Sequence, residues 1–357
     1  MLVTDLVNVR YLSGFTGSAG ALLIYAQERC DADSSVLATD GRYRTQAARQ
    51  APDLQLAIER SGPSYLAAQA AKAGVRRLGF EGHVVTVDGF DSLAAAFSDN
   101  CPLGGSGELA RASGLVETLR EVKDADEVAQ LRRACATADA ALGDLVARGG
   151  VRAGRTEREV GRELESLLLD HGADAVSFET IVATGANSAV PHHRPTDAVL
   201  AVGDFVKIDF GALVAGYHSD MTRTFVLGPP AEWQREIYEL VAAAQRAGRA
   251  ALQPGAVLRD VDAAARDVIG DAGYAETFSH GLGHGVGLRI HEAPGLNASA
   301  DGTLLAGAVV TVEPGVYLAD RGGVRIEDTL VVGGGPSSPG GGAPDLLTRF
   351  PKELTIL

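Results

Sequence analysis

The chain has 357 residues, of which 46% are hydrophobic and 22% are charged, and its formal net charge is −14. This length exceeds the usual size of a single hydrophobic core and predicts two domains. The acidic balance argues against nucleic acid and anionic membranes as partners, because both require a basic surface on the protein.

The first third of the chain alternates short apolar runs with helix-like runs. We expect strands at residues 21–26, 34–40, 54–58 and 76–82, and helices at residues 42–51, 64–74 and 87–97. This alternation is typical of an α/β domain. The sequence begins almost within its first strand, so we expect that an element before Met1 is missing.

The remainder of the chain predicts an α+β domain with antiparallel hairpins. A long helix at residues 120–148 leads into it, and Thr156 with Glu159 forms a capping box that opens a helix to about His171. The other predicted elements are helices at residues 229–252 and 258–272, strands at 205–214, 217–227, 308–318 and 323–332, and a flexible loop at 333–344.

Two acids lie in the first predicted hairpin of this domain. A tight turn at residues 214–215 would place Asp209 directly opposite Asp220, with both side chains on one face of the ribbon. Two like charges in this arrangement repel each other, and the pair is destabilising unless something neutralises it.

The second predicted hairpin repeats this arrangement. A turn centred near Asp320 would place Glu313 opposite Glu327. A single acid on a strand usually faces solvent, and one like-charged pair arises more often by chance than by function. Two matched pairs on otherwise apolar strands, in a domain that also contains a histidine cluster, predict a cation site.

The histidine cluster lies in residues 280–292, HGLGHGVGLRIHE. His280, His284 and His291 are separated by four and seven positions, with glycine at every second position from 281 to 287. Glycine disfavours helices, so we expect an extended segment that lets other groups approach its backbone closely. Histidines that are merely packed in a glycine-rich strand are the alternative.

Four carboxylates and an imidazole suit divalent cations of intermediate hardness. Carboxylate oxygens favour Mn²⁺ or Mg²⁺, and the imidazole shifts the preference towards Mn²⁺, Co²⁺ or Zn²⁺. Four carboxylates can hold two ions only if some of them bridge. Two ions about 3.5–4 Å apart can bring the pKa of a bound water to near 7, which predicts hydrolysis of an amide or a phosphate ester.

Five segments resemble the signature blocks of the pita-bread metallopeptidases: KIDFGA, HSDMTRTF, HGLGHGVGLRIHE, TVEPGVY and GGVRIEDT. The segments NSAVPHHRPTD and NVRYLSGFTGSAGALL narrow the resemblance to the branch of Xaa-Pro aminopeptidase (aminopeptidase P) and Xaa-Pro dipeptidase (prolidase). The resemblance covers nearly the whole chain. It implies a creatinase-like α/β N-terminal domain at residues 1–119 and an α+β pita-bread catalytic domain at residues 120–357.

The resemblance also implies a dinuclear metal site, most simply with two Mn²⁺ ions. Asp209 would bind one ion and His284 the other, and Asp220 and Glu327 would bridge both. Glu313 would bind the second ion and move the proton of the attacking water.

Four further residues match family positions near the substrate. His192, His280 and His291 match histidines that contact the substrate, and Arg325 matches an arginine beside the metal-bound carboxylates. His192 and His193 are adjacent on an extended segment, so their side chains face opposite ways and only one of them can point inward.

The implied reaction is hydrolysis of the peptide bond that precedes proline, in peptides with proline at the second position. We expect an Xaa-Pro dipeptidase because the chain is short, with an Xaa-Pro aminopeptidase as the alternative. A methionine aminopeptidase would use the same five ligands, but the N-terminal domain and the PHHRP segment argue against it. A metal-free creatinase-type enzyme and a non-catalytic binding module are disfavoured because all the ligand positions are filled.

Cysteine usage and the N-terminal segment indicate the compartment. Cys30, Cys101 and Cys135 are far apart and form no C-x-x-C pair, so we expect a cytoplasmic protein without disulfides. We expect neither a signal peptide nor a transmembrane helix. The resemblance further implies a homodimer.

Overall fold

A computed structural model describes residues 1–25, 35–102, 107–334 and 342–357. The chain divides into two compact units, Met1–Leu119 and Arg120–Leu357. Cys30 and residues 335–341 of the predicted loop at 333–344 lie outside the described residues. None of the helices in the described ranges is both long enough and apolar enough to cross a lipid bilayer.

The first unit contains a six-stranded mixed sheet. Its strands are β1 (Leu2–Val3), β2 (Ala21–Leu23), β3 (Val36–Thr39), β4 (Gln55–Ile58), β5 (Arg77–Phe80) and β6 (Glu108–Arg111), in the spatial order β4-β3-β2-β1-β5-β6. Its helices are α1 (Leu6–Ser13), α2 (Arg44–Gln50), α3 (Gly62–Lys72) and α4 (Val87–Ser98). The predicted strands and helices are confirmed within the described residues; positions 26 and 34 of the predicted strands lie outside them. Strand β1 lies where the sequence indicated a strand at its start, whereas β6 and α1 are additional.

Helices cover both faces of this sheet because successive strand residues point to opposite sides. Leu2 and Leu23 pack with α3 and α4 in one apolar cluster. Val3 and Leu22 pack with α1 and α2 in the other. The first unit is therefore an α/β domain of three layers.

The second unit begins within a pair of consecutive helices. The helices are α5 (Leu115–Glu121), which starts in the first unit, α6 (Ala125–Ala147), α7 (Glu157–Asp170), α8 (Glu232–Ala251) and α9 (Leu258–Asp271). The predicted single helix at 120–148 is wrong at residues 122–124, because Asp124 caps α6 in a capping box with Glu127. The capping box of Thr156 and Glu159 at the start of α7 is confirmed.

The strands of the second unit form small antiparallel sheets and hairpins, with one parallel pairing. They are β7 (Ala175–Val176), β8 (Ile181–Thr184), β9 (Phe205–Phe210), β10 (Ala212–Val214), β11 (Tyr217–His218), β12 (Met221–Val226), β13 (Gly283–Gly285), β14 (Glu292–Leu296), β15 (Val309–Val312), β16 (Gly315–Leu318), β17 (Gly322–Arg325), β18 (Asp328–Val331), β19 (Asp345–Leu346) and β20 (Thr355–Ile356). The two largest sheets have the orders β20-β12-β9-β8 and β14-β13-β15-β18-β19.

Strand β9 separates an apolar layer from a polar one. Val206, Ile208 and Phe210 pack with α6 and α7 in one cluster of buried side chains. The alternate residues Lys207 and Asp209 are also buried, although they are charged. The opposite face of this sheet therefore holds buried polar groups that must find partners there.

Candidate metal centre

The first acidic hairpin differs from its predicted register by two positions. Asp209 on β9 lies opposite Thr222 on β12. The two-residue turn consists of Ala215 and Gly216, whose φ angles of 49° and 78° are typical of a type I′ turn. The predicted turn at 214–215 and the direct pairing of Asp209 with Asp220 are therefore wrong. Because the difference is an even number of positions, it leaves both acids facing the same side.

The predicted register of the second acidic hairpin is confirmed. β15 pairs with β18, with Val312 opposite Asp328, and β16 pairs with β17 in the same register. Glu313 and Glu327 occupy corresponding positions between these two ladders. The backbone N–H of Glu327 donates to Thr222 O at 3.1 Å, which joins this hairpin to β12.

His284 lies on β13, in the centre of the glycine-rich segment. A Cβ on Gly283 would lie 2.1 Å from Thr311 O, and one on Gly285 would lie 2.1 Å from Ala293 O. No side chain fits at such distances. The glycines therefore allow the neighbouring strands to approach β13, and this approach places the imidazole of His284 among the acids.

The hydrogen bonds of His284 leave one ring nitrogen for a ligand. Nδ1 lies 3.0 Å from Gly285 O, so in the neutral ring Nδ1–H donates to this carbonyl and Nε2 carries the lone pair. Nε2 lies 3.5 Å from Asp220 Oδ2 and 3.5 Å from Glu313 Oε1. Three electron-rich atoms at these distances repel one another unless a proton or a cation lies among them.

The predicted ligands converge on one cavity of about 210 Å³. One ligand atom each from Asp220, His284 and Glu327 lies within 4.8 Å of the other two. Asp209 Oδ2 pairs with Arg325, whereas its buried Oδ1 has no hydrogen-bond partner among the residues that the structure describes. The cavity is lined by Phe178, Glu179, Ile181, His192, Asp209, Asp220, His284, Ile290, His291, Glu313 and Glu327.

Burial and mutual repulsion raise the pKa values of three acids of this cavity. Burial raises the pKa of Asp220 to about 6 and that of Glu313 to about 7. Burial and the other carboxylates raise the pKa of Glu327 well above its ordinary range. Burial alone would lower the pKa of His284, but its hydrogen bond to Asp220 and the charge of Glu313 raise it to about 9. This donor set contains several carboxylates, one buried carboxylate oxygen without a described partner and an imidazole. Such a set is suited to binding divalent cations.

Two of the predicted substrate histidines line this cavity. The rings of His291 and His284 lie 4.4 Å apart in an edge-to-face arrangement, and burial lowers the pKa of His291. His192 also lines the cavity. The adjacent His193 faces away, with Nε2 lying 2.8 Å from Oε2 of the buried Glu157.

His280 and Arg325 lie behind the cavity and are not among the described residues that line it. Arg325 Nη1 donates to the hydroxyl of Tyr317 at 2.8 Å, and this hydroxyl lies 2.8 Å from His280 Nε2. Burial lowers the pKa of His280 to about 4, so the neutral ring accepts from Tyr317 and donates from Nδ1 to Gly281 O at 2.8 Å. Tyr317 is not predicted from the sequence, because only the folded hairpin brings it to His280.

Family models match both units of the chain. The model described as Metallopeptidase family M24 matches residues 129–333, more than half of the chain. The chain belongs to metallopeptidase family M24. A second model, the Creatinase/Prolidase N-terminal domain, matches residues 1–122 of this M24 chain.

Full-length relatives support the same family. The M24 chain is 39% identical to the uncharacterized peptidase YqhT of Bacillus subtilis, over 100% of this chain and 95% of that protein. It superposes on an Xaa-Pro dipeptidase from Bacillus anthracis with a TM-score of 0.89 and 39% identity, covering 100% of this chain and 94% of that one. For an X-Pro aminopeptidase from Thermotoga maritima the TM-score is 0.87 at 30% identity, covering 100% and 97%.

These comparisons confirm the resemblance to the Xaa-Pro peptidases of the pita-bread family and two further predictions made from the sequence. The fold class is an α/β creatinase-like N-terminal domain followed by an α+β pita-bread domain. The chain is also an enzyme of the metallopeptidase class. The roles of individual residues remain predictions, to which the geometry of the M24 cavity adds specific support.

Proposed function

We propose that this chain is an Xaa-Pro dipeptidase that hydrolyses the peptide bond preceding proline with the help of two divalent cations. The observation that carries the proposal is the convergence of four carboxylates, three of them buried, and Nε2 of His284 on one cavity. The similarity to an Xaa-Pro dipeptidase over the whole chain supports the choice of substrate. An Xaa-Pro aminopeptidase is the second candidate, because a solved relative bears that name.

The proposed ligands are Asp209, Asp220, His284, Glu313 and Glu327, and the proposed ions are two Mn²⁺, with Co²⁺ or Zn²⁺ as alternatives. Asp220 and Glu327 are assigned as bridging ligands. When bound, the ions supply Lewis acidity that polarises the scissile carbonyl and acidifies the attacking water. Because His284 Nδ1 already donates to a backbone carbonyl, Nε2 is the atom assigned to the metal.

Glu313 is the proposed proton carrier. Its carboxylate can accept a proton from the attacking water, and the resulting carboxyl group can donate that proton to the departing nitrogen. This nitrogen belongs to the proline ring. Like any departing amine, it must be protonated before the C–N bond of the tetrahedral intermediate breaks.

His192 and His291 are assigned to the substrate. Both line the cavity, and a neutral imidazole can donate one hydrogen bond to the oxyanion that forms at the scissile carbonyl. Each such donor lowers the barrier by roughly 3 kcal/mol. His280 is proposed to contact the substrate from the wall behind the cavity, where Tyr317 and Arg325 hold it.

We further propose a cytoplasmic homodimer whose partners are peptides with proline at the second position, and not nucleic acid or membrane. Neither described cysteine, Cys101 or Cys135, forms a disulfide, and the net charge is −14. Light scattering coupled to gel filtration gives the mass of the particle and tests the dimer.

The experiment that tests the proposed reaction compares Ala-Pro, Ala-Pro-Ala and Met-Ala as substrates. Protein stripped with a chelator and reloaded with Mn²⁺ should cleave Ala-Pro fastest, and the chelated protein should be inactive. Exclusive cleavage of Ala-Pro-Ala would identify an aminopeptidase, and preference for Met-Ala a methionine aminopeptidase. If the reloaded protein cleaves none of the three and binds no Mn²⁺, the proposal is wrong.

A further inference from the structure

Lys207 is a completely buried lysine on β9, two residues before Asp209 and on the same face of the sheet. Its ammonium nitrogen donates to Val190 O at 2.6 Å and to Pro191 O at 3.2 Å. It also lies 5.1 Å from the centre of the Tyr317 ring. No carboxylate in the described ranges forms an ion pair with it.

This arrangement is costly for the fold, because a buried ammonium group loses its hydration without gaining a counter-ion. Methionine would fill a similar volume without that cost. What lysine adds is a hydrogen-bond donor for two carbonyls of an irregular segment. Burial lowers the pKa of Lys207 well below its ordinary range, but an uncharged amine still has two N–H groups, so both contacts persist in either protonation state.

The two carbonyls belong to the residues immediately before His192. Arg325 Nη1 also donates to Pro191 O, at 3.2 Å. On the other side of His192, the ring of His193 is held by Glu157. The proline itself has a fixed φ angle. The segment is thus held by its backbone carbonyls directly before His192 and by the side chain of His193 directly after it.

We propose that Lys207 is a positioning residue, which fixes the carbonyls of residues 190 and 191 and thereby aims the His192 imidazole into the cavity. The inference rests on the substrate role proposed for His192. The Lys207 side chain is fully buried, so it does not touch a substrate itself.

A double-mutant cycle tests this coupling. Lys207→Met removes both donors and should lower kcat for Ala-Pro about ten- to a hundredfold, since misplacement of a contact group by about 1 Å can cost this much. In the His192→Ala background the same substitution should change kcat less than about twofold, because the group that it positions is gone. Mn²⁺ content should be unchanged in all four proteins.

Val206→Ala is the matched control on the same strand. Its side chain packs on the opposite face of β9 against α6 and α7, so it should lower Tm and affect kcat equally in both backgrounds. If Lys207→Met costs the same factor with and without His192, or if His192→Ala retains wild-type kcat, the positioning role is wrong. Lys207→Gln, which keeps a shorter donor, replaces Lys207→Met in the cycle if the methionine variant does not fold.

A crystal structure of the Lys207 variant gives a readout that does not depend on activity. We expect residues 190–192 to move and the His192 ring to leave the cavity, while His193 keeps its contact with Glu157. An unchanged His192 would overturn the positioning role. The two proposals fail in different experiments. A wild-type protein that cleaves no Xaa-Pro peptide contradicts the proposed function, whereas an unmoved His192 in the Lys207 variant contradicts only the role of Lys207.

Discussion

Nη2 of Arg120 lies 2.9 Å from Oε1 of Glu292, and the two side chains are only 3% and 5% exposed. Glu292 directly follows His291 and opens β14. Its other carboxylate oxygen lies 3.8 Å from Lys123 Nζ, and Oε1 also accepts the backbone N–H of Arg289 at 2.7 Å. One buried carboxylate thus holds two cationic side chains and the loop that carries a proposed substrate histidine.

Glu292→Ala should therefore lower the free energy of unfolding by about 3–5 kcal/mol, because it removes the carboxylate that both buried cations contact. Urea denaturation of the wild type and the variant measures the difference. Glu236→Ala, at an exposed position on α8, is the control and should change the free energy by less than about 0.5 kcal/mol. A loss for Glu292→Ala as small as that of the control would contradict the buried-pair account.

Asp220→Ala should abolish both Mn²⁺ binding and peptidase activity, because it removes a proposed bridging ligand. Metal analysis after dialysis measures the first effect, and hydrolysis of Ala-Pro measures the second. Asp267→Ala, on the exposed face of α9, should retain both. If the Asp220 variant keeps two equivalents of Mn²⁺, the assignment of Asp220 as a bridging ligand is wrong.

The two acidic hairpins show how far sequence patterns fix a register. In the second hairpin, three signals indicate the same register: the paired acids, the apolar alternation and the turn near Asp320, whose φ is 59°. The predicted pairing there is correct. In the first hairpin the like-charged pair favoured a turn one residue too early. Ala215 adopts a positive φ, which is a conformation that favours glycine. Because alanine is not typical of this position, the residue type did not indicate the turn. The predicted site is not affected, because a register shift of two positions leaves each side chain on the same face of the ribbon.

Two other differences have distinct physical origins. The break before α6 has a local signal, because Asp124 and Glu127 have the spacing of a capping box. The apolar periodicity that continues across residues 120–148 masks this signal. The contacts of Tyr317 and Lys207 have no local signal, because their partners lie far along the chain and meet them only in the folded protein.

His291→Ala should lower kcat about a hundredfold while Mn²⁺ content stays at the wild-type level. The ring lines the cavity beside His284 but is assigned to the oxyanion, and removal of one such donor costs roughly 3 kcal/mol. His171→Ala, which removes a histidine bound to Asp144 on α6, should leave kcat unchanged. Loss of metal from the His291 variant would show that the division between ligand and substrate histidines is wrong.

The metal-free protein should lose stability as the pH rises, and Mn²⁺ should restore it. In the folded protein the pKa of Asp220 is about 6 and that of Glu313 is about 7. In an unfolded chain both carboxyl groups have a pKa of about 4. Between these values the folded state binds more protons than the unfolded state, so stability falls with rising pH.

His284 acts in the same direction. Its pKa of about 9 in the folded protein exceeds the ordinary histidine value of about 6.5. The protonated ring therefore stabilises the fold fully below about pH 6.5, and this stabilisation is lost as the pH rises through about 9. Because divalent cations replace these protons, the increase in Tm on adding Mn²⁺ should be several degrees larger at pH 8 than at pH 5. Thermal scans with chelator and with Mn²⁺ at both pH values measure this, and the Asp220→Ala variant should show no increase at either. An equal increase at both pH values would mean that protons and cations do not compete for these carboxylates.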